Sequence, residues 1–73
     1  MPRFVVKSTM AGTVARLEVE RDEMVVSEQT LLFLEVMKME IPVESPAVGR
    51  IVTVHVDTGD LVAQGQPLVT LEN

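Results

Sequence analysis

A lysine stands between two methionines near the middle of the 73-residue chain, in the segment Glu35–Glu40. The amine of Lys38 could be acylated, but an exposed lysine is almost fully protonated at pH 7 and is a poor nucleophile without help. Such chemistry would need a partner enzyme and an activated acyl donor. A lone lysine in a turn is more often simply solvated, so its neighbours must decide between the two interpretations.

The segment 29–41 around this lysine is compatible with two secondary structures. A helix is possible because Leu, Glu, Met and Lys favour helices and the proline that follows would end one. The alternative is two strands, Leu31–Val36 and Met39–Glu44, joined by a tight turn at Met37 and Lys38. Methionines would then flank the tip, where ordinary turns use Asn, Gly or Asp. Paired methionines at such a tip indicate a surface that another protein recognises.

The composition favours an all-β protein. Val, Leu and Ile make up most of the 47% apolar fraction, only two residues are aromatic, and no cysteine is present. Such side chains suit pleated sheets. Without disulfides or thiolate metal sites, stability has to come from apolar packing.

The charge distribution argues against two kinds of partner. The net charge is −5, and the six basic residues are scattered rather than clustered, which disfavours binding to nucleic acid. No apolar run is long enough to span a membrane, and the N-terminus lacks the pattern of a signal peptide. We therefore expect a cytoplasmic protein without a membrane partner.

The chain contains an internal repeat with an offset of 37 residues. Nine of the 36 aligned pairs are identical, where composition alone would give about two or three. The identical pairs are Val6/Val43, Ser8/Ser45, Gly12/Gly49, Val19/Val56, Val25/Val62, Gln29/Gln66, Leu31/Leu68, Leu34/Leu71 and Glu35/Glu72. We expect a single domain, 1–73, in which the repeats 1–36 and 38–73 pack on each other about a pseudo-two-fold axis.

The second repeat decides between helix and strands. The counterpart of Leu31–Val36 is Leu68–Asn73, a short segment that follows a Gly-Gln-Pro turn and so favours a strand. One strand from Leu31 to Glu44 would be too long, so the chain must turn near Lys38. The predicted fold is a flattened β-sandwich or barrel of two four-stranded antiparallel sheets, each able to contain strands of both repeats. Its predicted core consists of Val6, Val14, Leu17, Val19, Val25, Leu31, Leu34 and their partners.

The offset also predicts where the lysine lies relative to the chain ends. The residue 37 positions before Lys38 is Met1, so the counterpart of the central turn is the break between the termini. The termini should therefore meet on the other sheet, far from Lys38. His55, the only histidine, falls on the outward phase of its strand and is expected to be solvated, with a phosphocarrier or metal role less favoured. The acidic residues show no metal-binding spacing, so no metal site is predicted.

The segment Glu35-Val36-Met37-Lys38-Met39 closely resembles the Glu-Ala-Met-Lys-Met signature of biotinyl carrier domains. The resemblance extends over nearly the whole chain. Gly12 and Gly49 match the paired glycines of that family, and Val56–Val62 followed by Gly65–Leu68 matches its later hairpin pattern. The absence of an insertion before the motif resembles the minimal carriers that lack a protruding thumb.

The resemblance implies a carrier rather than an enzyme. By it, Lys38 carries covalent biotin, and Glu35, Met37 and Met39 mark the site for biotin protein ligase. The implied partners are that ligase, a biotin carboxylase using ATP and bicarbonate, and a carboxyltransferase; the carrier itself should be monomeric. An acyl-CoA carboxylase, as in fatty-acid synthesis from acetyl-CoA, is the favoured setting, while pyruvate and urea stay open as acceptors.

Three departures from the family pattern and two alternatives remain. Asp22 and Glu28 stand where the family has glycines, so the turn at Ser27-Glu28 is expected to be altered or slightly strained. Val36 replaces the usual alanine. A lipoyl carrier shares the fold but has other residues beside its lysine, and a structural adaptor like those of membrane fusion proteins would give the methionines no role.

Overall fold

The computed structural model describes residues 2–73, and within them every regular element is a strand. Residues 2–73 contain no helix that is long and apolar enough to cross a membrane. The strands are β1 (Arg3–Lys7), β2 (Gly12–Leu17), β3 (Met24–Val25), β4 (Thr30–Val36), β5 (Met39–Glu44), β6 (Gly49–Val54), β7 (Leu61–Val62) and β8 (Pro67–Glu72). The prediction of an all-β fold is confirmed, and the segment 29–41 is a hairpin rather than a helix.

The eight strands form two four-stranded antiparallel sheets. Their orders are β1-β8-β6-β3 and β5-β4-β2-β7. Strands β1 to β4 come from the first half of the sequence and β5 to β8 from the second, so each sheet takes two strands from each half. An offset of four strands converts one sheet order into the other, which is the predicted pseudo-two-fold symmetry.

The core lies between the sheets and is built from aliphatic side chains. Its fully buried members are Val14, Val19, Val25, Leu31, Leu32, Leu34, Ile51, Val56, Val62, Leu68, Val69 and Leu71. Four predicted core residues, Val6, Leu17, Val43 and Val54, pack against this cluster but are only half-buried. Leu32 and Val69 were not predicted to be buried. The strand pairing slips at the residue before Leu32, so two neighbouring leucines are buried instead of one.

Equivalent hydrogen bonds recur at positions 37 residues apart. The Ser8 hydroxyl donates to the Met10 carbonyl at 2.6 Å, and the Ser45 hydroxyl donates to the Ala47 carbonyl at 2.7 Å. Likewise Gly65 N donates to the Ser8 carbonyl, as the corresponding amide of the first half does to Ser45. These buried serines satisfy loop carbonyls and join the two halves at matching places.

The turns that depart from the family's glycine pattern keep the backbone that glycine would adopt. Asp22 and Glu28 have φ of 74° and 71°, and their counterparts Gly59 and Gly65 have φ of 93° and 84°. The turn at Glu28 is therefore not rearranged, but a non-glycine residue there costs about 1 kcal/mol. At Asp22, an ion pair with Arg50 at 2.7 Å offsets part of the cost of the positive φ.

Residues 2 and 73 lie together on the sheet that does not carry Lys38. Asn73 N donates to the Pro2 carbonyl at 3.2 Å, which continues the pairing of β1 with β8. Met1, the predicted counterpart of Lys38, lies outside the described residues. The segment between β2 and β3 spans 18–23 and its counterpart spans 55–60, so no additional loop is inserted into the first half.

Candidate functional site

The site is the two-residue turn of the hairpin between β4 and β5. Val36 pairs with Met39, so only Met37 and Lys38 form the loop. Both have positive φ, 53° and 66°, as the tight hairpin turns that match strand twist require. Asn and Gly adopt this backbone readily, whereas Met and Lys each pay about 1 kcal/mol. The regular pairing of β4 with β5 holds the turn in place despite this cost.

The side chains at the turn stand in solvent. Met37 is 90% exposed and Met39 is 66% exposed, and Lys38 between them is also exposed. Within residues 2–73 the Lys38 ammonium has no carboxylate within ion-pair distance. Lys38 also lines neither of two surface clefts found on this part of the chain. The amine is thus presented on a projection, where a large partner can surround it.

The stem of the hairpin rests directly on strand β2. A Cβ atom added to Gly12 would lie 2.8 Å from the Glu35 carbonyl oxygen and 2.9 Å from a Val36 methyl group. Only glycine therefore lets β2 approach the end of β4 this closely. The same contact recurs in the other sheet, where a Cβ on Gly49 would lie 2.8 Å from the Glu72 carbonyl oxygen. The paired glycines that carry the family resemblance fix the last residues before the turn.

Acidic side chains face each other across the stem. Glu35 pairs with Glu40 in the strand register, and both are exposed. Arg16 of β2 donates to Glu40 at 3.0 Å and to Glu18 at 3.2 Å, and its guanidinium lies 4.3 Å from the centroid of the Phe33 ring. Neither Arg16 nor Phe33 was predicted from the sequence to lie at the site. The outward phase of Arg16 on its strand was the only signal available.

The structure separates His55 from the turn. It follows the end of β6, is exposed, and has its Nε2 atom 2.7 Å from the hydroxyl oxygen of the buried Thr70. The predicted exposure is confirmed, but the ring also has a protein hydrogen-bond partner. Within residues 2–73 no three His, Asp or Glu side chains are grouped so that they could hold a metal ion.

Comparison with known proteins identifies the family of the chain. The model of the family described as "Biotin-requiring enzyme" matches residues 4–71. The chain belongs to this family of biotinyl and lipoyl attachment domains.

The relatives that match the chain include carboxylases and a biotin carboxyl carrier protein. The chain is 40% identical over 63 residues to pyruvate carboxylase of Staphylococcus aureus and 35% identical over 65 residues to the propionyl-CoA carboxylase alpha chain of Mus musculus, covering 86% and 89% of this chain. It is 34% identical over 62 residues, 85% of this chain, to the biotin carboxyl carrier protein of Streptococcus mutans. It spans only 6% and 9% of the two carboxylases and 48% of the carrier protein.

Solved structures give the same fold. A single-chain, multi-domain long-chain acyl-CoA carboxylase superposes with a TM-score of 0.89 at 29% identity, covering 94% of this chain and 7% of that one. The urea carboxylase of Kluyveromyces lactis superposes with a TM-score of 0.92 at 18% identity, covering 99% of this chain and 6% of that one. The second likeness concerns the fold alone.

Proposed function

We propose that this chain is a biotin carboxyl carrier in which Lys38 bears the biotin. The observation that supports this most is the turn itself, with an exposed lysine between two exposed methionines at the tip of a rigid hairpin. Attachment would form an amide between the Lys38 Nζ atom and the carboxyl carbon of an activated biotin supplied by the partner enzyme. The bond from that carbon to the activating group breaks, the activating group leaves, and the ammonium loses two of its three protons together with its positive charge. Biotin would then serve as the site at which a carboxyl group is held between two enzymes.

The residues present fit a covalently attached group. Attachment requires an accessible primary amine that is not tied up in an ion pair, and Lys38 meets both conditions within the described residues. The side chain at either flank is an uncharged, flexible thioether, which can pack against an enzyme surface in several ways. The lysine and methionines therefore offer both an attachment point and a recognition surface.

The chain's contribution to transfer would be mechanical. Strands β4 and β5 and the contact at Gly12 fix the base of the turn, while the long side chain of Lys38 stays free to move. A tether of this kind raises the effective concentration of the attached group at both active sites. The chain holds the attached group during carboxylation of biotin and during transfer of the carboxyl group. We assign both reactions to partner enzymes.

The implied partners are a biotin carboxylase, a carboxyltransferase and biotin protein ligase. Support for the first two comes from the relatives, which are carboxylases of pyruvate and propionyl-CoA and a long-chain acyl-CoA carboxylase. An acyl-CoA carboxylase, including the acetyl-CoA enzyme of fatty-acid synthesis, is our proposed setting. The chain spans only a small part of these relatives. The transferase, and not the carrier, selects the molecule that accepts the carboxyl group.

Intact-mass measurement tests the attachment. Co-expression with a biotin protein ligase should add the mass of one biotinyl group, and Lys38→Arg should abolish the addition. The chain offers a matched control because its only other lysine is Lys7. Lys7→Arg should be modified as fully as the unaltered chain. A lipoyl mass, or an unmodified product, would contradict the proposal and favour a lipoyl carrier or an unmodified adaptor.

A further inference from the structure

The outer faces of the two sheets have opposite charge, although the pseudo-symmetry makes them equivalent. We call the outer face of β5, β4 and β2, with the adjoining residue 18, the acidic face; its charged residues are Glu18, Glu35, Glu40, Glu44 and Arg16. The outer face of β1, β8 and β6 carries Arg3, Lys7, Arg50 and Glu72. One face thus has four carboxylates and one guanidinium, and its counterpart has three cations and one carboxylate.

The counterpart face is largely neutralised by its own ion pairs. Glu72 lies 3.1 Å from Arg3 and 3.5 Å from Arg50, and Arg50 also lies 2.7 Å from Asp22. The hydrogen bond from Arg3 lowers the pKa of the Glu72 carboxyl group, and Arg50 lowers it further. These charges have their partners within the fold.

The acidic face lacks this compensation. Arg16 serves both Glu18 and Glu40, whereas Glu35 and Glu44 have no cationic partner within residues 2–73. Glu35 lies opposite Glu40, an arrangement of like charges that destabilises a sheet slightly. Glu40 and Glu44 correspond to Arg3 and Lys7 on the counterpart face, so the fold tolerates cations at two of the four positions and does not require all of these carboxylates. A basic surface of another protein would neutralise the excess of carboxylates.

We propose that the acidic face is the docking surface for the enzyme that acylates Lys38, and that this enzyme presents a basic patch to it. The inference rests on the proposed function. Strands β4 and β5 carry both the turn and three of the four carboxylates, so a protein that covers this face also reaches the lysine. Phe33, half-buried beneath the Arg16 guanidinium, supplies an apolar contact in the middle of the face.

The acylating enzyme fits this surface better than the enzymes that act later. Amide formation requires the Lys38 Nζ atom itself to come within about 3–3.5 Å of the activated carboxyl carbon. The enzyme must therefore hold the hairpin. A carboxylase or transferase meets the attached group at the end of a long flexible arm and can act without covering the stem. Charge complementarity next to the lysine should thus act mainly on the rate of acylation.

Two pairs of charge-neutralising substitutions test the proposal. Glu18→Gln with Glu44→Gln removes two charges from the acidic face, and Glu20→Gln with Asp57→Asn removes two from exposed positions elsewhere. The second pair gives the same net charge, and its side chains make no ion pair within residues 2–73. The measurement is the initial rate of biotin incorporation by purified biotin protein ligase at low acceptor concentration, with thermal unfolding of each variant as a check on folding.

We expect the acidic-face pair to lower kcat/KM by about fivefold at 0.01 M ionic strength and the control pair by less than about twofold. Raising the ionic strength to about 0.15 M shortens the Debye length from about 30 Å to about 8 Å. The difference in kcat/KM between the acidic-face pair and the unaltered chain should therefore become smaller.

Three results would overturn the inference. Equal effects of the two pairs would show that only net charge matters, and equal rates for all three proteins would show that the face is not used. Unchanged ligase rates with slower carboxylation of the biotinylated pair would assign the face to the carboxylase instead. Failure of the unaltered chain to accept biotin after exhaustive incubation would overturn the proposed function as well, which separates the two claims.

Discussion

The hairpin that ends in Lys38 and the strand pair that ends at the chain termini are equivalent by pseudo-symmetry but differ in what they present. Both rest on a glycine that admits a close backbone contact. At the terminal pair, Arg3 faces Glu72 and the charges are satisfied. At the hairpin, Glu35 faces Glu40, and the turn beyond them exposes a lysine and two methionines. The scaffold is therefore shared, and the functional features are additions to one of its two copies.

The largest expected effect comes from breaking the shared contact. Gly12→Ala places a methyl group 2.8 Å from a backbone oxygen that cannot move aside easily, and it should lower the free energy of unfolding by about 2–3 kcal/mol. Gly49→Ala should cost a similar amount because its contacts are equally short. Denaturant unfolding of each variant provides the measurement.

Gly65→Ala is the control for this pair. Nothing lies within 4 Å of a Cβ at that position, so the only cost is a positive φ, about 1 kcal/mol. If Gly12→Ala were no more destabilising than Gly65→Ala, the close approach of β2 to the hairpin stem would not be needed for stability.

A smaller effect is expected where the two halves use different residues for the same turn. Glu28 has the left-handed backbone of its counterpart Gly65, so Glu28→Gly should raise the free energy of unfolding by about 0.5–1 kcal/mol. Asp22→Gly should gain less, since it also removes the ion pair with Arg50. Thermal or denaturant unfolding of both variants checks the order; a loss of stability in Glu28→Gly would show that the glutamate is not strained.

The smallest effect concerns the ion pair that distinguishes the terminal strands. The pKa of Glu72 is lowered in the folded state, so its contribution to stability is present above the ordinary glutamate pKa of 4.5 and is lost as the pH falls through the lowered value. Arg3→Gln should therefore destabilise the protein slightly at neutral pH and not at all in strong acid. Lys7→Gln, on the same strand but without an ion-pair partner within residues 2–73, should show no such pH dependence. A constant Arg3→Gln penalty at every pH would contradict the assignment.

Much of the fold could be predicted from the sequence because the repeat constrains it. The segment Leu31–Val36 corresponds to the strand-like segment Leu68–Asn73. This correspondence favours a hairpin over a helix and predicts the turn at Lys38. The burial of Leu32 could not be predicted, because it depends on a slip in strand pairing that alternation does not encode.

The surroundings of the turn were less predictable than the turn itself. The contacts of Arg16 with Phe33 and Glu40 join strand β2 to the hairpin of β4 and β5; Arg16 and Glu40 are 24 positions apart in the chain, and only the sheet order reveals that they are close. The opposite charges of the two faces likewise emerge only when strands from both halves are laid side by side. The motif residues, by contrast, are consecutive in the chain, and their roles remain a prediction until the attachment is measured.

Peptide mapping tests the central claim most directly. Cleavage of the ligase-treated chain after arginine yields one fragment, 22–50, whose only lysine is Lys38, and another, 4–16, whose only lysine is Lys7. We predict that tandem mass spectrometry will find one biotinyl group, on Lys38 of fragment 22–50, and none on fragment 4–16. Biotin on Lys7, or on neither fragment, would contradict the account.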